Sequence, residues 1–429
     1  MFVPTITTVM AANQDKIFLL NDQLELKQLI QIVLERNPSL TAMELAWQAA
    51  KNRIEQVSSW DDPMLSYSYA PRTRGRDDQD LGQKIQLSQK LPWPGKLGLK
   101  EDSARFQAQA KQENIKAVRL RLIEVSVRSF ADWYYIHEAL RINRVNQDLW
   151  QEFRIIAELK YGTGQASKQD ALRAEMEQAM LEHAAIILLR KKRNIQANMN
   201  TLLNRSPDSL IPPPGNMPEA ATIPAVNKLR QMALVNHPEL KALLTTGKAS
   251  EAQVKLAERE YFPDFRINAG YNSLWAQEEK RYTVGLGINI PLALGKRSAR
   301  VDEKRARNQQ LKWQLIEKQA EIAGAVQRAY NGAQESRHVL KLYRKKLLPL
   351  AEENLHAAKS DYQSGKGNFL DLVSVEKNLI QTQLNQAQAL ADYHSRLALL
   401  ARHVGDPGLL NLDIPATSNM RDETLGETQ

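Results

Sequence analysis

The sequence predicts a mainly α-helical protein with a membrane β-barrel portion, built by duplicating one unit of helices and a β-hairpin. Three observations carry this expectation: long proline-free windows with helical periodicity, landmarks repeated about 200 residues apart, and four short segments of apolar/polar alternation. The chain has 429 residues, 58 Lys+Arg against 49 Asp+Glu, a net charge of +9, and no cysteine. Without cysteine it can hold no disulfide framework, thiolate metal site or cysteine nucleophile, and no lipid on an N-terminal Cys. Nowhere does an apolar run reach the ~18 residues of a membrane-crossing helix. Basic residues are interleaved with acidic ones over most of the chain, and the densest basic run, Arg190-Lys191-Lys192-Arg193, sits within a helical pattern, so the positive charge reads as solvated helix faces and not as a nucleic-acid footprint.

Length alone would suggest two or three domains. The internal repeat replaces that expectation. Leu34-Glu35-Arg36-Asn37-Pro38-Ser39-Leu40 recurs as Leu234-Val235-Asn236-His237-Pro238-Glu239-Leu240, Pro63 as Pro263, and Gly95-Lys96 as Gly295-Lys296. Tyr161, Gly164 and Asp170 recur as Tyr362, Gly365 and Asp371. The chain therefore divides into a leader (1–23), a first repeat (24–206), a Pro-rich linker (207–224), a second repeat (225–404) and a polar tail (405–429). Within the leader, Phe2 to Ala12 resembles the end of a secretory signal, without the preceding Lys/Arg, and is read as a signal remnant.

Each repeat has the same order of elements. A first helical pattern runs from about Leu24 to Ser58 and again from about Ala225 to Arg259, interrupted by Pro38 and Pro238. Two alternating segments follow. A very long helix is expected from about Leu97 to Lys160 and from about Ser298 to Tyr362, because proline costs about 3 kcal/mol in a helix interior and none lies between Pro94 and Pro207 or between Pro291 and Pro349. In the first, Ile115, Val118, Leu122, Val125, Trp133, Ile136 and Leu140 form a coiled-coil-type seam. About 64 residues at 1.5 Å each span roughly 95 Å, a rod and not a compact bundle. Pro349 predicts a kink. A glycine-bearing turn leads to the return helix, about Lys168 to Leu203 and about Phe369 to Val404.

The strands are expected at about 64–70, 81–89, 264–275 and 282–290. Leu65, Tyr67 and Tyr69 alternate with Ser66 and Ser68, and Ile85 and Leu87 with Gln86. Phe265, Ile267, Ala269 and Tyr271 alternate with Asn268, and Val284, Leu286 and Ile288 with Gly285, Gly287 and Asn289. A soluble hairpin sheet would show the same period. The small polar face, the aromatic residues at segment ends (Trp60, Trp93, Tyr261, Phe262, Trp275) and the lack of a covering layer favour a barrel in lipid, apolar outside and polar within. Ser66, Ser68, Gln86, Asn268 and Asn289 then face the lumen. Four strands cannot close a barrel, and a barrel in lipid must close, so three chains would supply twelve strands. Each hairpin is reached from a helix and left into one, which puts all helices on one side of the membrane. The hairpin tips, Pro71 to Asp80 and Ala276 to Arg281, lie on the other.

Two helix–turn–helix connections carry the remaining signal: Tyr161-Gly162-Thr163-Gly164-Gln165-Ala166-Ser167-Lys168-Gln169-Asp170 and Tyr362-Gln363-Ser364-Gly365-Lys366-Gly367-Asn368-Phe369-Leu370-Asp371. Gly164 and Gly365 suit a left-handed helix end. Ser167 and Asn368 are N-cap types, each followed three residues later by an Asp. The seven histidines form no i, i+3 or i, i+4 pair, no Walker spacing is present and no Ser/His/Asp arrangement is suggested. The chain is thus expected to be no enzyme and to need no cofactor or resident metal.

From Leu24 to Val404 this constellation resembles the TolC-type outer-membrane efflux proteins of Gram-negative bacteria. The Asn37-Pro38-Ser39-Leu40 motif with its repeat, the strand pairs and the two Tyr-x-x-Gly turns carry the likeness. Asp62-Pro63-Met64-Leu65 and Gln89-Lys90-Leu91-Pro92-Trp93-Pro94-Gly95-Lys96-Leu97 resemble the heavy-metal efflux branch. The resemblance implies a homotrimer with a twelve-stranded barrel among outer-membrane lipid and a long α-helical periplasmic tunnel. A periplasmic adaptor and an inner-membrane pump, of the RND type, would be its partners, and transport through it would be passive. Tyr161, Gly164, Ser167, Asp170, Tyr362, Gly365, Lys366, Asn368 and Asp371 would then dock the adaptor and line the aperture. Drug or protein export by the same channel, and a soluble periplasmic coiled-coil scaffold or adaptor, are the alternatives.

Overall fold

The computed structural model describes residues 23–70, 82–218, 222–273, 275 and 277–412. The signal remnant and all of the hairpin tip Pro71 to Asp80 lie outside them, as does Ala276 of the second tip.

The elements are α1 (Leu26–Arg36), α2 (Pro38–Ser58), β1 (Met64–Ala70), β2 (Gly82–Leu91), α3 (Lys96–Gly162), α4 (Lys168–Leu202), α5 (Val226–Asn236), α6 (Pro238–Arg259), β3 (Phe265–Asn272), β4 (Tyr282–Ile288), α7 (Leu294–Leu342), α8 (Leu348–Ser364) and α9 (Phe369–Val404). Short 3₁₀ turns cover Glu278–Lys280 and Pro407–Leu410.

The chain folds into two compact units. One comprises residues 1–40, 117–237 and 322–429; the other comprises 41–116 and 238–321. Each draws on both halves of the sequence. The first unit holds the large buried side chains, including Phe130, Trp133, Trp150, Phe153, Met199, Leu229 and Tyr393. Each such side chain contributes about 1.5–3 kcal/mol on leaving water. Around α3 burial is wider than a two-position seam: Ile123, Val127, Phe130 and Ala131 are covered along with Ile115, Leu122, Trp133 and Ile136. The Asn-Pro-Ser motif is explained here. Asn37 Oδ1 accepts the Ser39 N–H (3.1 Å) while its Nδ2 donates to the Leu202 carbonyl (2.9 Å), and Pro38 opens α2 where its missing N–H costs nothing. The proline linker is pinned as well: Leu24 N–H donates to the Pro213 carbonyl (2.8 Å) and Trp133 Nε1 to the Pro212 carbonyl (2.9 Å).

The second unit is packed by small residues, with Ala104, Ala108, Ala249, Ala252 and Ala257 buried along its helices. It carries the antiparallel sheet, in the order β1-β2-β3-β4.

Three expectations are corrected. β3 stops at Asn272 instead of reaching Trp275; just beyond it the Ser273 N–H still donates to the Gln83 carbonyl (2.9 Å), while the Ser273 Oγ, in place of a backbone carbonyl, accepts the Gln83 N–H (2.8 Å). β4 ends at Ile288, so Asn289 lies just beyond it, though its N–H still donates to the Asp264 carbonyl (2.9 Å). The disturbance expected at Pro349 takes the form of a π turn at Tyr343–Leu347, ahead of the proline. Proline has no N–H to offer the carbonyl four residues back, and the widened turn absorbs that mismatch.

Candidate functional site

The strand register sorts the sheet into two chemically distinct faces. Leu65, Leu87, Ala269 and Val284 stand opposite one another across the four strands, as do Tyr67, Ile85, Tyr271 and Tyr282. Val284 is 86% exposed and Leu65 70%, so this face is an open apolar surface. On the other face Ser66, Gln86, Gly270 and Thr283 align, with Ser88, Asn268 and Gly285 in the next row and Ser68, Lys84 and Asn272 on the far side. Ser66 Oγ donates to the Gln86 carbonyl (3.3 Å). The register therefore brings Ser66, Ser68, Gln86 and Asn268 to one face. That face also carries Lys84, Lys90 and Arg266. An apolar patch of this extent is unusual on a protein surrounded by water, whereas lipid demands it.

The first unit holds the two turns. Gly164 (φ +74°) and Gly365 (φ +76°) both take the left-handed conformation that closes a helix without a Cβ penalty. In the first turn the Gln165 N–H donates to the Lys160 carbonyl (2.8 Å); in the second the Lys366 N–H donates to the Asp361 carbonyl (2.9 Å). The caps differ. Asn368 Oδ1 accepts the Asp371 N–H (2.8 Å), but the Ser167 side chain makes no cap bond, and its backbone carbonyl receives the Asp170 N–H instead (3.1 Å). Tyr161, Ser167, Lys366 and Asp371 are exposed, and Asp170 is half-buried.

Tyr362 is buried and ties the two turns together. Its ring packs beside Phe369 (centroids 5.3 Å apart) in a cluster with Trp150, Phe153 and Leu372. Lys160 Nζ donates to its carbonyl (2.5 Å) and sits 4.6 Å from its ring centroid, a cation–π arrangement. Burial, and then the charge of Asp170, push the Tyr362 hydroxyl above its ordinary pKa. Beside the turns lies an open cleft of about 330 Å³ lined by Ile156, Leu159, Lys160, Thr163, Gln165 and Gln363. The sequence reading missed Lys160, whose only signal was its place one residue before Tyr161. It also missed Glu376, a fully buried carboxylate on α9. Burial raises the pKa of Glu376 to about 7, against the opposing pull of Lys359.

Residues 229–406 match the model of the outer membrane efflux protein family. The match spans the second repeat of the chain. The chain's fold agrees along most of its length with solved channels. The outer-membrane channel OprN aligns with a TM-score of 0.76 at 18% identity, covering 90% of each chain. CusC aligns with a TM-score of 0.76 at 17% identity over 89% of this chain and 92% of its own. Among characterised relatives, Nodulation protein T of Rhizobium leguminosarum bv. trifolii is 23% identical over 71% of this chain and 67% of its own length. The cobalt-zinc-cadmium resistance protein CzcC of Cupriavidus metallidurans is 21% identical over 72% of this chain and 74% of its own. By this match and this fold the protein is an outer-membrane efflux channel of the tripartite type, with a periplasmic helical part. That sets the soluble scaffold aside.

Proposed function

We propose that this chain forms, as a homotrimer, the passive exit duct of a heavy-metal cation efflux system. The observation that carries the duct is the two-faced sheet, whose edges β1 and β4 are free to continue into neighbouring copies and so close twelve strands around a polar lumen. Ser66, Ser68, Gln86, Asn268 and Asn289 would line that lumen. The cargo assignment is supported by the Asp62-Pro63-Met64-Leu65 and Gln89-to-Leu97 motifs and by the likeness to CzcC. The metal is cargo that passes through; energy comes from an inner-membrane pump of the RND type, joined by a periplasmic adaptor.

The turns at Tyr161–Asp170 and Tyr362–Asp371 would dock the adaptor and border the aperture. Their exposed rims, with Lys366 and Asp371 in solvent, suit that role. Replacing Gly365 or Lys366 is expected to block export while leaving trimer assembly intact; normal export would reduce these residues to helix caps. Deleting the gene should sensitise cells to divalent heavy-metal ions more than to drugs or detergents. Sensitisation to drugs alone would reassign the cargo while keeping the duct.

A further inference from the structure

Inside the chain, the seam where β2 meets β3 is locked at its helix-side end. Lys96 Nζ donates to the Phe262 carbonyl (2.8 Å) and pairs with Asp264 Oδ1 (2.7 Å), which also accepts the Trp93 N–H (3.0 Å). Trp93 stacks on Phe262 and Phe265 with centroids 5.2 and 5.6 Å apart, and Lys96 is left only 7% exposed. The residue leaving the first hairpin thereby holds the residues that begin the second.

The 200-residue offset sets Lys296 after β4 where Lys96 stands after β2, and Asp62 before β1 where Phe262 stands before β3. β4 and β1 are the two edges of the sheet. Lys296 and Asp62 are both exposed, and neither has an ion pair among the described residues. The acid has moved between the repeats: Asp264 has Met64 as its counterpart, whereas Phe262 has Asp62. Asp62 can therefore offer a lysine both a backbone carbonyl and a carboxylate, the two acceptors that Lys96 uses.

We propose that Lys296 of one copy clamps onto Asp62 of the next, sealing β4 against β1 of the neighbour as Lys96 seals β2 against β3. Face matching supports the junction. Val284 of β4 and Leu65 of β1 already share the apolar face within one chain, so a second copy laid against the edge can continue that face without a flip. Opposite charges on the two edges favour a ring over like-edge pairing, because β1 against β1 would oppose Asp62 to Asp62.

The clamp rests on the trimer reading and names the residues of its seam, so the test measures the two separately. The chain has no cysteine, and an Asp62→Cys/Lys296→Cys variant of the full-length protein therefore carries only the designed thiols. A short bismaleimide is the suitable linker, since a lysine–aspartate pair holds its backbones farther apart than a disulfide spans. Treated membranes should give covalent dimer and trimer bands on a denaturing gel and nothing larger, with each single variant giving monomer alone. Light scattering on the untreated, detergent-extracted protein counts the copies independently. A trimer by scattering that yields only monomer bands overturns the clamp and leaves the trimer standing; a monomer by scattering overturns both. Charge reversal covers the case in which the double-cysteine variant does not fold. Lys296→Glu should lower the yield of detergent-resistant trimer about tenfold, and adding Asp62→Lys should restore it. A loss that Asp62→Lys does not relieve overturns the clamp.

Discussion

Tyr161 and Tyr362 occupy matching places at the ends of the chain's two long helical stretches, each three residues before a left-handed glycine, yet Tyr161 is 49% exposed and Tyr362 only 4%. The difference follows from their surroundings. Tyr362 has Phe369, Leu372 and Val373 on the return helix beside it, where the first turn has Lys168, Ala171 and the exposed Leu172. It also receives Lys160 from the other turn, whereas the position preceding Tyr362 is Asp361. One helix further along, the same asymmetry buries Glu376 and leaves its counterpart Glu175 in solvent. A duplicated turn can therefore keep its backbone and diverge in burial, so that one copy serves as anchor and the other as surface.

The largest test of that contrast is truncation. Tyr362→Ala should destabilise by about 3 kcal/mol through the cavity it leaves in the Trp150–Phe369 cluster, while Tyr161→Ala stays within about 0.5 kcal/mol; thermal unfolding in detergent reads both. Equal losses would erase the distinction between anchor and surface. Tyr362→Phe sharpens it. The buried hydroxyl has no hydrogen-bond partner among the described residues, so its removal should be neutral or stabilising.

Next comes pH. Glu376 has its carboxyl raised from 4.5 to about 7, first by burial, with Lys359 opposing. Between those two values the folded chain keeps a proton that the unfolded chain has released, so this residue makes stability fall as pH rises from about 4.5 to about 7. Glu376→Gln should flatten that decline and raise the melting temperature at pH 8 more than at pH 5. The melting curves at the two pH values decide it.

Gly365→Ala and Gly164→Ala should each cost about 1 kcal/mol, and equally, since both residues sit at positive φ and an added Cβ meets nothing within 4 Å at either. Unequal losses would show that the turns differ in backbone as well as in burial. The smallest effect separates the caps. Asn368→Ala removes the bond to the Asp371 N–H and should cost about 1 kcal/mol, while Ser167→Ala removes none and should cost close to zero.

Much of the fold could be read from the sequence because its signals are local. Proline gaps mark α3 and α7, alternation marks the four strands, and Asn37-Pro38 and the two Tyr-x-x-Gly turns mark helix breaks. The shared face of Ser66, Ser68, Gln86 and Asn268 was legible for the same reason: period two assigns a face before any partner strand is known. Three features were not legible. The π turn ahead of Pro349 depends on how a helix distributes a missing hydrogen bond over the preceding residues. The contact of Lys160 with Tyr362 joins residues 202 apart in sequence. The pairing of Lys96 with Asp264 joins residues 168 apart in sequence.

By itself, the sequence determined which segments are helix, strand or turn and which side of each strand is apolar, because backbone propensity and side-chain period act within a few residues. The tertiary structure alone decided which of the two matching turns is buried, which carboxylate loses its water, and which lysine finds an acid. Those outcomes depend on groups brought together from distant parts of the chain, which a pattern read over a few residues does not reveal.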